Sequence, residues 1–235
     1  MLFIRSLIFL LLQLVLTPIF STMALLTFPF SPLTRYRLIS SYARTMIWLL
    51  KIVCGISHRV VGLENIPKEP CVVLCKHQSA WETLALQVIF PPQAWVLKRE
   101  LLWLPFFGWG LAMTSPIAID RSDGKGAVKQ LLKQGKHRLA QGFFVVIFPE
   151  GTRVAFGERG KYKIGGALLA TSAGVPVVPV AHNAGRLWGR NSFIKRPGLV
   201  TMSIGNTIDT HGLKSDEVNA RTEAWIENEI QQLEH

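Results

Sequence analysis

The chain opens with an almost unbroken apolar region and then settles into short apolar runs separated by stretches of helical periodicity. From Ser6 to Thr34 there is no charged residue. At about 1.5 Å per residue that stretch can cross a hydrocarbon core of about 30 Å. Pro18, Pro29 and Pro32 interrupt it, so one straight spanning helix is not assured. The next segment, Leu38–Ile56, is apolar apart from Arg44 and Lys51, which with Arg37 recur every seven residues. That spacing puts the bases on one helical face, as in a helix lying at a membrane interface. A membrane-anchoring helical pair is therefore expected over residues 1–58. The competing reading is a cleaved signal peptide, with Arg5 as its basic start, Leu7–Leu16 as its apolar core and Thr22-Met23-Ala24 as its cleavage site. Hydrophobicity that continues past that site favours a retained anchor.

After a turn-rich link, Gly62–Pro70, apolar runs read as buried strands at Cys71–Cys75, Ala94–Leu97, Pro116–Ile119, Phe143–Phe148, Val175–Val180 and Leu199–Ile204. Helices are expected between and after them at Trp81–Ile89, Gly126–Ala140, Lys163–Ala173 and Asp216–Leu233. This alternation predicts an α/β fold, a single sandwich domain with a mainly parallel sheet over residues 59–235. Sites in such sheets lie at the carboxyl ends of the strands.

Charge sharpens the picture. Residues 1–63 hold six bases and no acid, and 151–206 hold eight bases against the single acid Glu158. A net charge of +11 thus marks two basic surfaces suited to anionic lipid or phosphate. Nucleic acid is not expected as a partner, because no helix-turn-helix, zinc-finger or ribonucleoprotein pattern occurs. The three cysteines, Cys54, Cys71 and Cys75, read as buried reduced thiols of a cytoplasm-facing protein rather than as metal ligands.

Two motifs carry chemistry, and both fall at strand ends. The first, Lys76-His77-Gln78-Ser79-Ala80-Trp81-Glu82, offers an imidazole and a carboxylate five positions apart. On one continuous helix these would sit about 140° apart, so they meet only if His77 lies on the loop and Glu82 in the first turn. Glu82 can then fix the tautomer of His77, which takes a proton from an alcohol. The same residues fit a capping box in which Glu82 merely ties off the helix start, and spacing supports both roles. The second motif is Phe148-Pro149-Glu150-Gly151-Thr152-Arg153. Gly151 permits a sharp turn, and Arg153 can grip a phosphate. Glu150 can order the turn or bind a hydroxyl. Lys98 and Arg121, at other strand ends, add charge.

These blocks resemble the glycerolipid acyltransferases, specifically the 1-acyl-glycerol-3-phosphate (lysophosphatidic acid) acyltransferases, over roughly Val60 to Arg186. Four blocks carry the likeness in order: His77 to Glu82; Lys98-Arg99-Glu100-Leu101 with Pro105, Gly108 and Ile117 to Arg121; Phe148 to Arg153; and Val175 to Val180. The family most often has Asp where Glu82 stands, one methylene shorter. The resemblance implies His77 as general base with Glu82 as its partner. It also implies an acceptor phosphate held by Glu150, Gly151, Thr152 and Arg153 with Lys98 and Arg121. Backbone N–H groups near Trp81 are candidates for the oxyanion. It further implies acyl-CoA or acyl carrier protein as thioester co-substrate, no metal or other cofactor, phosphatidic acid as product, and a cytoplasmic-membrane site open to the cytoplasm. Three alternatives remain open: another lyso-lipid acceptor such as a lyso-ornithine lipid, a non-catalytic binder of anionic lipid, and a hydrolase using Ser79.

Overall fold

The computed structural model describes residues 1–233. Pro18 does not stop the first helix, α1, which runs through Leu2–Leu26. The second apolar segment is broken rather than continuous, so the expected pair of helices is replaced by three. Helix α2, Pro32–Ile39, starts with proline at its first position, behind a Ser31 cap that accepts from the Thr34 N–H at 3.4 Å. Helix α3, Ser41–Leu49, follows after Ser40 and closes in a π-turn, Leu50–Cys54, ended by the left-handed Gly55. Arg37, Arg44 and Lys51 are all exposed.

The sheet contains β1 (Ile56–Val61), β2 (Val72–Cys75), β3 (Gln93–Lys98), β4 (Ile117–Ile119), β5 (Phe144–Ile147), β6 (Val177–His182) and β7 (Gly198–Ile204). Their spatial order is β1-β7-β6-β2-β5-β3-β4. Every pairing is parallel except β6 with β7. Those two are joined by an irregular strap, where a parallel return would need a helical crossover. The helices are α4 (Trp81–Ile89), α5 (Phe107–Ala112), α6 (Gly124–Ala140), α7 (Gly165–Ala173) and α8 (Ser215–Leu233).

Two elements were illegible in the sequence. Strand β1 carries the polar run Ser57-His58-Arg59 at an edge, so no continuous apolar run marks it; helix α5 is masked by Gly108 and Gly110. The expected domain boundary at 58/59 therefore falls inside β1, between paired residues of one strand. The N-terminal helices pack into the core. Phe9, Met46 and Leu50 are buried in the same cluster as Val73, Trp81 and Val146 of the sheet layer.

Helix α1 lies along the domain. Ser6 Oγ accepts from the Lys195 N–H at 2.9 Å, and Phe9 meets Trp188 edge-on at 5.8 Å. Thr17 is hydrogen-bonded to the Tyr42 hydroxyl at 2.9 Å, and the Ser21 side chain fits against Gly110. These contacts run over about 22 Å of helix. The opposite side of α1 exposes Ile4, Leu11, Leu14, Val15 and Ile19. Beside it the turn 99–103 and α5 expose Trp103, Leu104, Phe106, Phe107 and Trp109, with Trp103 at 76%. Water would not tolerate so large an apolar face, and the chain associates with membranes.

Candidate active site

The central strand β2 delivers the first motif to the carboxyl edge of the sheet. Its chain leaves the sheet at Lys76, whose N–H still donates to Val180 O at 3.0 Å. His77 then turns onto the loop, and α4 begins at Trp81. Glu82 sits in the first turn of α4, fully buried. Its Oε1 lies 2.8 Å from His77 Nδ1 and accepts from the N–H groups of Gln78 and Ser79 at 3.0 and 2.9 Å. The carboxylate is therefore both cap and imidazole partner, and the two readings of Glu82 are one geometry. Burial works against its charged form. The His182 ring, the His77 hydrogen bond and the Ser79 N–H outweigh burial and hold the carboxyl below its ordinary value. A charged Glu82 fixes the proton on Nδ1. Nε2 is then left with its lone pair toward the cleft that His77 lines.

The ring is held on its other side too. His77 stacks on Phe148 with centroids 3.8 Å apart and planes 11° apart. Behind the pair, His182 is fully buried, and burial lowers its pKa. Its Nε2–H donates to Lys76 O at 2.9 Å and its Nδ1 accepts from the Ala184 N–H at 3.2 Å, a neutral tautomer. The Nε2 edge comes within 3.7 Å of Glu82 Oε2, an oxygen with no other polar partner. Ser79 is also buried, and its Oγ accepts from the Trp81 N–H at 3.1 Å. A nucleophilic Ser79 has no place in this geometry. Of the backbone donors near Trp81, three are engaged: Gln78 and Ser79 on Glu82, and Trp81 on Ser79.

Strand β5 delivers the second motif beside the first. The Val154 N–H donates to His77 O at 2.8 Å, which ties the two loops together. Gly151 turns the chain at φ 70°, and a Cβ there would come within 2.8 Å of Lys163 Nζ. Arg121, after β4, donates to Gly151 O. Lys98, Arg121, Gly151, Thr152 and Arg153 all line the same cleft as His77, a space of about 490 Å³. The Arg153 Nε is buried without a hydrogen-bond partner among the described residues. Apolar wall is added by Phe20 and Ala24 of α1, Leu84 of α4 and Leu111 of α5.

Glu150 departs from the expected phosphate-binding set. It is buried and points inward, where its Oε1 accepts from the His77 N–H at 3.4 Å and lies 3.6 Å from Lys76 Nζ. A carboxylate would repel a phosphate in any case. Lys76, wholly buried, bonds Glu227 of α8 at 2.7 Å, and the Tyr162 hydroxyl donates to the same oxygen at 2.8 Å. This buried group braces the turn from below. Lys76, Tyr162, His182 and Glu227 carried no signal in the sequence, since their partners lie far along the chain. Among the described residues no group of three or more His, Cys, Asp or Glu could hold a metal ion.

Burial pushes the Glu150 carboxyl up to about 7 from an ordinary 4.5, despite Lys76 nearby. The folded protein then holds a proton that the unfolded chain has released. Stability from this group is complete below the unfolded value and is lost as pH rises from about 4.5 to about 7. Thermal melts of wild type and Glu150→Gln across that window are expected to diverge, with the variant gaining relative stability toward pH 7. Parallel profiles would show that Glu150 titrates normally.

Residues 57–183 match the family model described as Acyltransferase. A curated 1-acyl-sn-glycerol-3-phosphate acyltransferase of Pseudomonas aeruginosa is 46% identical over 98% of this chain and 91% of its own length. The protein of the same name from Saccharomyces cerevisiae is 31% identical over 75% of this chain, which spans 59% of that relative. The crystal structure of the 1-acyl-sn-glycerophosphate (LPA) acyltransferase PlsC from Thermotoga maritima matches with TM-score 0.82 over 98% of this chain and 95% of that one. At 21% identity that likeness speaks for the fold.

Proposed function

The chain belongs to the acyltransferase family, and on that premise we propose that it acylates the free hydroxyl of 1-acyl-glycerol-3-phosphate to give phosphatidic acid. The observation that carries the chemistry is the 2.8 Å contact of His77 Nδ1 with Glu82 in a cleft that also holds Arg153. His77 Nε2 takes the proton of the acceptor hydroxyl as its oxygen attacks the thioester carbonyl of acyl-CoA or acyl carrier protein. The new C–O ester bond forms, and the C–S bond breaks. The departing thiolate recovers the proton from the imidazolium, which Glu82 has stabilised meanwhile. No covalent acyl-enzyme and no resident cofactor enter this scheme. Arg153, Arg121 and Lys98, with the Gly151-Thr152 backbone, hold the acceptor's phosphate. The apolar walls receive acyl chain.

The membrane arrangement follows from α1. A helix packed along the domain from Ser6 to Ala24 cannot cross a bilayer perpendicularly without drawing the domain in with it. Its exposed side, continuous with Trp103–Trp109, instead seats the protein in one leaflet with the cleft at lipid level. The thioester donors and the free, buried cysteines support a site facing the cytoplasm.

Labelled acyl transfer from acyl-CoA or acyl carrier protein to lysophosphatidic acid tests the function. Arg153→Ala is expected to raise the acceptor KM by about 10- to 100-fold, the loss of a charge-assisted bidentate contact, with the donor KM unchanged. Arg153→Lys should recover part of it. An Arg153→Ala enzyme with an unaltered acceptor KM would remove Arg153 from the phosphate site.

A further inference from the structure

The strap between β6 and β7 carries more positive charge than the acceptor site uses. Residues 184–198 include Arg186, Arg190, Lys195 and Arg196 and no acid. Lys195 is committed to structure. It is buried, its ammonium sits 4.6 Å from the Trp188 ring centroid, and it donates to Phe193 O at 3.0 Å. The three arginines are exposed. The strap also divides two clefts. Arg190 and Asn191 line the one that holds His77, whereas Gly189 and Ser192 line a second, of about 720 Å³.

This second cleft is flanked by Arg186 and Arg196, and none of the described residues that line it is acidic. Two guanidinium groups sharing a concave surface without a carboxylate repel each other, and an anion relieves that repulsion. The cleft is also close to the chemistry. Gly185, on its wall, donates its N–H to Gln78 Oε1 at 3.4 Å, and a Cβ there would lie 2.9 Å from Gln78 Cβ. Gln78 is the residue after His77. Phe156, from the loop that carries Arg153, forms part of the rim. Gly185, Gly189 and Gly198 leave bare backbone along the walls.

Acyl transfer brings two anionic substrates to one imidazole. The first cleft is filled by the acceptor's phosphate and by acyl chain, so the donor's phosphate needs its own cations on another side of His77. We propose that the second cleft binds the phosphate of the donor's phosphopantetheine arm, with Arg186 and Arg196 as its ligands. The proposal rests on the acyl-transfer reading above and adds where the thioester enters. The same phosphate occurs in acyl-CoA and on acyl carrier protein, and the cleft recognises what they share.

The test measures initial rates of the full-length protein in detergent–lipid micelles with three donors: acyl-CoA, acyl carrier protein thioester, and acyl-pantetheine, which has no phosphate. The double variant Arg186→Glu/Arg196→Glu is expected to raise the KM for both phosphate-bearing donors by about 10- to 100-fold. The lysophosphatidic acid KM and the rate with acyl-pantetheine should match wild type, which a merely misfolded strap would not allow. If wild type accepts only acyl-CoA, a shift with acyl-CoA supports the proposal; a shift with acyl-CoA while acyl carrier protein thioester is used at an unchanged KM would overturn it. Equal losses with acyl-pantetheine would overturn it, as would an effect confined to acyl carrier protein, which would mark a protein-docking surface. Unchanged donor KM values together with weaker binding to anionic phosphatidylglycerol vesicles would assign the arginines to the membrane and overturn it too. A wild type inactive with all three donors would instead bring down the acyl-transfer reading on which the proposal stands.

Discussion

Replacing His77 with alanine is expected to lower kcat by about 10³-fold or more, within or beyond the usual contribution of a positioned general base. The cause is local. Among the described residues no other imidazole lines the cleft, and the buried His182 has both nitrogens occupied by backbone groups. The acceptor KM should change little, because the proposed phosphate ligands, Arg153 and its neighbours, lie on other loops. Stability should fall by only about 1–2 kcal/mol, the loss of one hydrogen bond and of the stack on Phe148. The measurement is labelled acyl transfer by membranes of matched protein abundance, alongside a thermal melt. A His77→Ala enzyme within tenfold of wild type would remove His77 as the base, whatever the family.

Glu82 is the second large effect, and its variants separate its two duties. Glu82→Gln keeps an oxygen for the Gln78 and Ser79 N–H groups but loses the charge that fixes the His77 tautomer and stabilises the imidazolium. Here kcat should drop by about 10²- to 10⁴-fold while the melting temperature stays near wild type. Glu82→Ala should lose the same activity and also about 2–4 kcal/mol of stability, because two buried N–H groups are orphaned. Glu82→Asp, one methylene shorter, should recover much of the rate. If Glu82→Gln is fully active while Glu82→Ala merely unfolds more easily, Glu82 is a helix cap and nothing more.

The readable part of the site was the part whose geometry is local. His77 and Glu82 are five residues apart, so a strand end and one helix turn suffice to bring them together. Gly151 and Arg153 share one tight turn. The strands were legible because burial on both faces of a parallel sheet demands continuous apolar runs, as in Val72–Cys75 and Phe144–Ile147. Edge strand β1 escaped because its middle residues, Ser57, His58 and Arg59, are polar and no continuous apolar run marks it.

Glu150 shows the limit of that approach. Its neighbours Gly151 and Arg153 face the cleft, and motif spacing placed Glu150 with them. Its actual orientation depends on Lys76, whose other partner, Glu227, lies 151 positions along the chain. The packing of the N-terminal helices is hidden for the same reason: the contacts of Ser6 with Lys195 and of Phe9 with Trp188 join segments far apart in the sequence.

By itself, then, the sequence determined the strand and helix pattern, the membrane-seeking N-terminus, and the two motifs that set His77 near Glu82 and Gly151 near Arg153. Each depends on periodicity or on side chains a few residues apart. Only the tertiary structure decided that one carboxylate serves as both cap and partner, and that Glu150 supports the site from within. The same holds for the strap that divides two basic clefts beside one imidazole. Those features depend on which distant segments share a wall, and chain spacing carries no record of that.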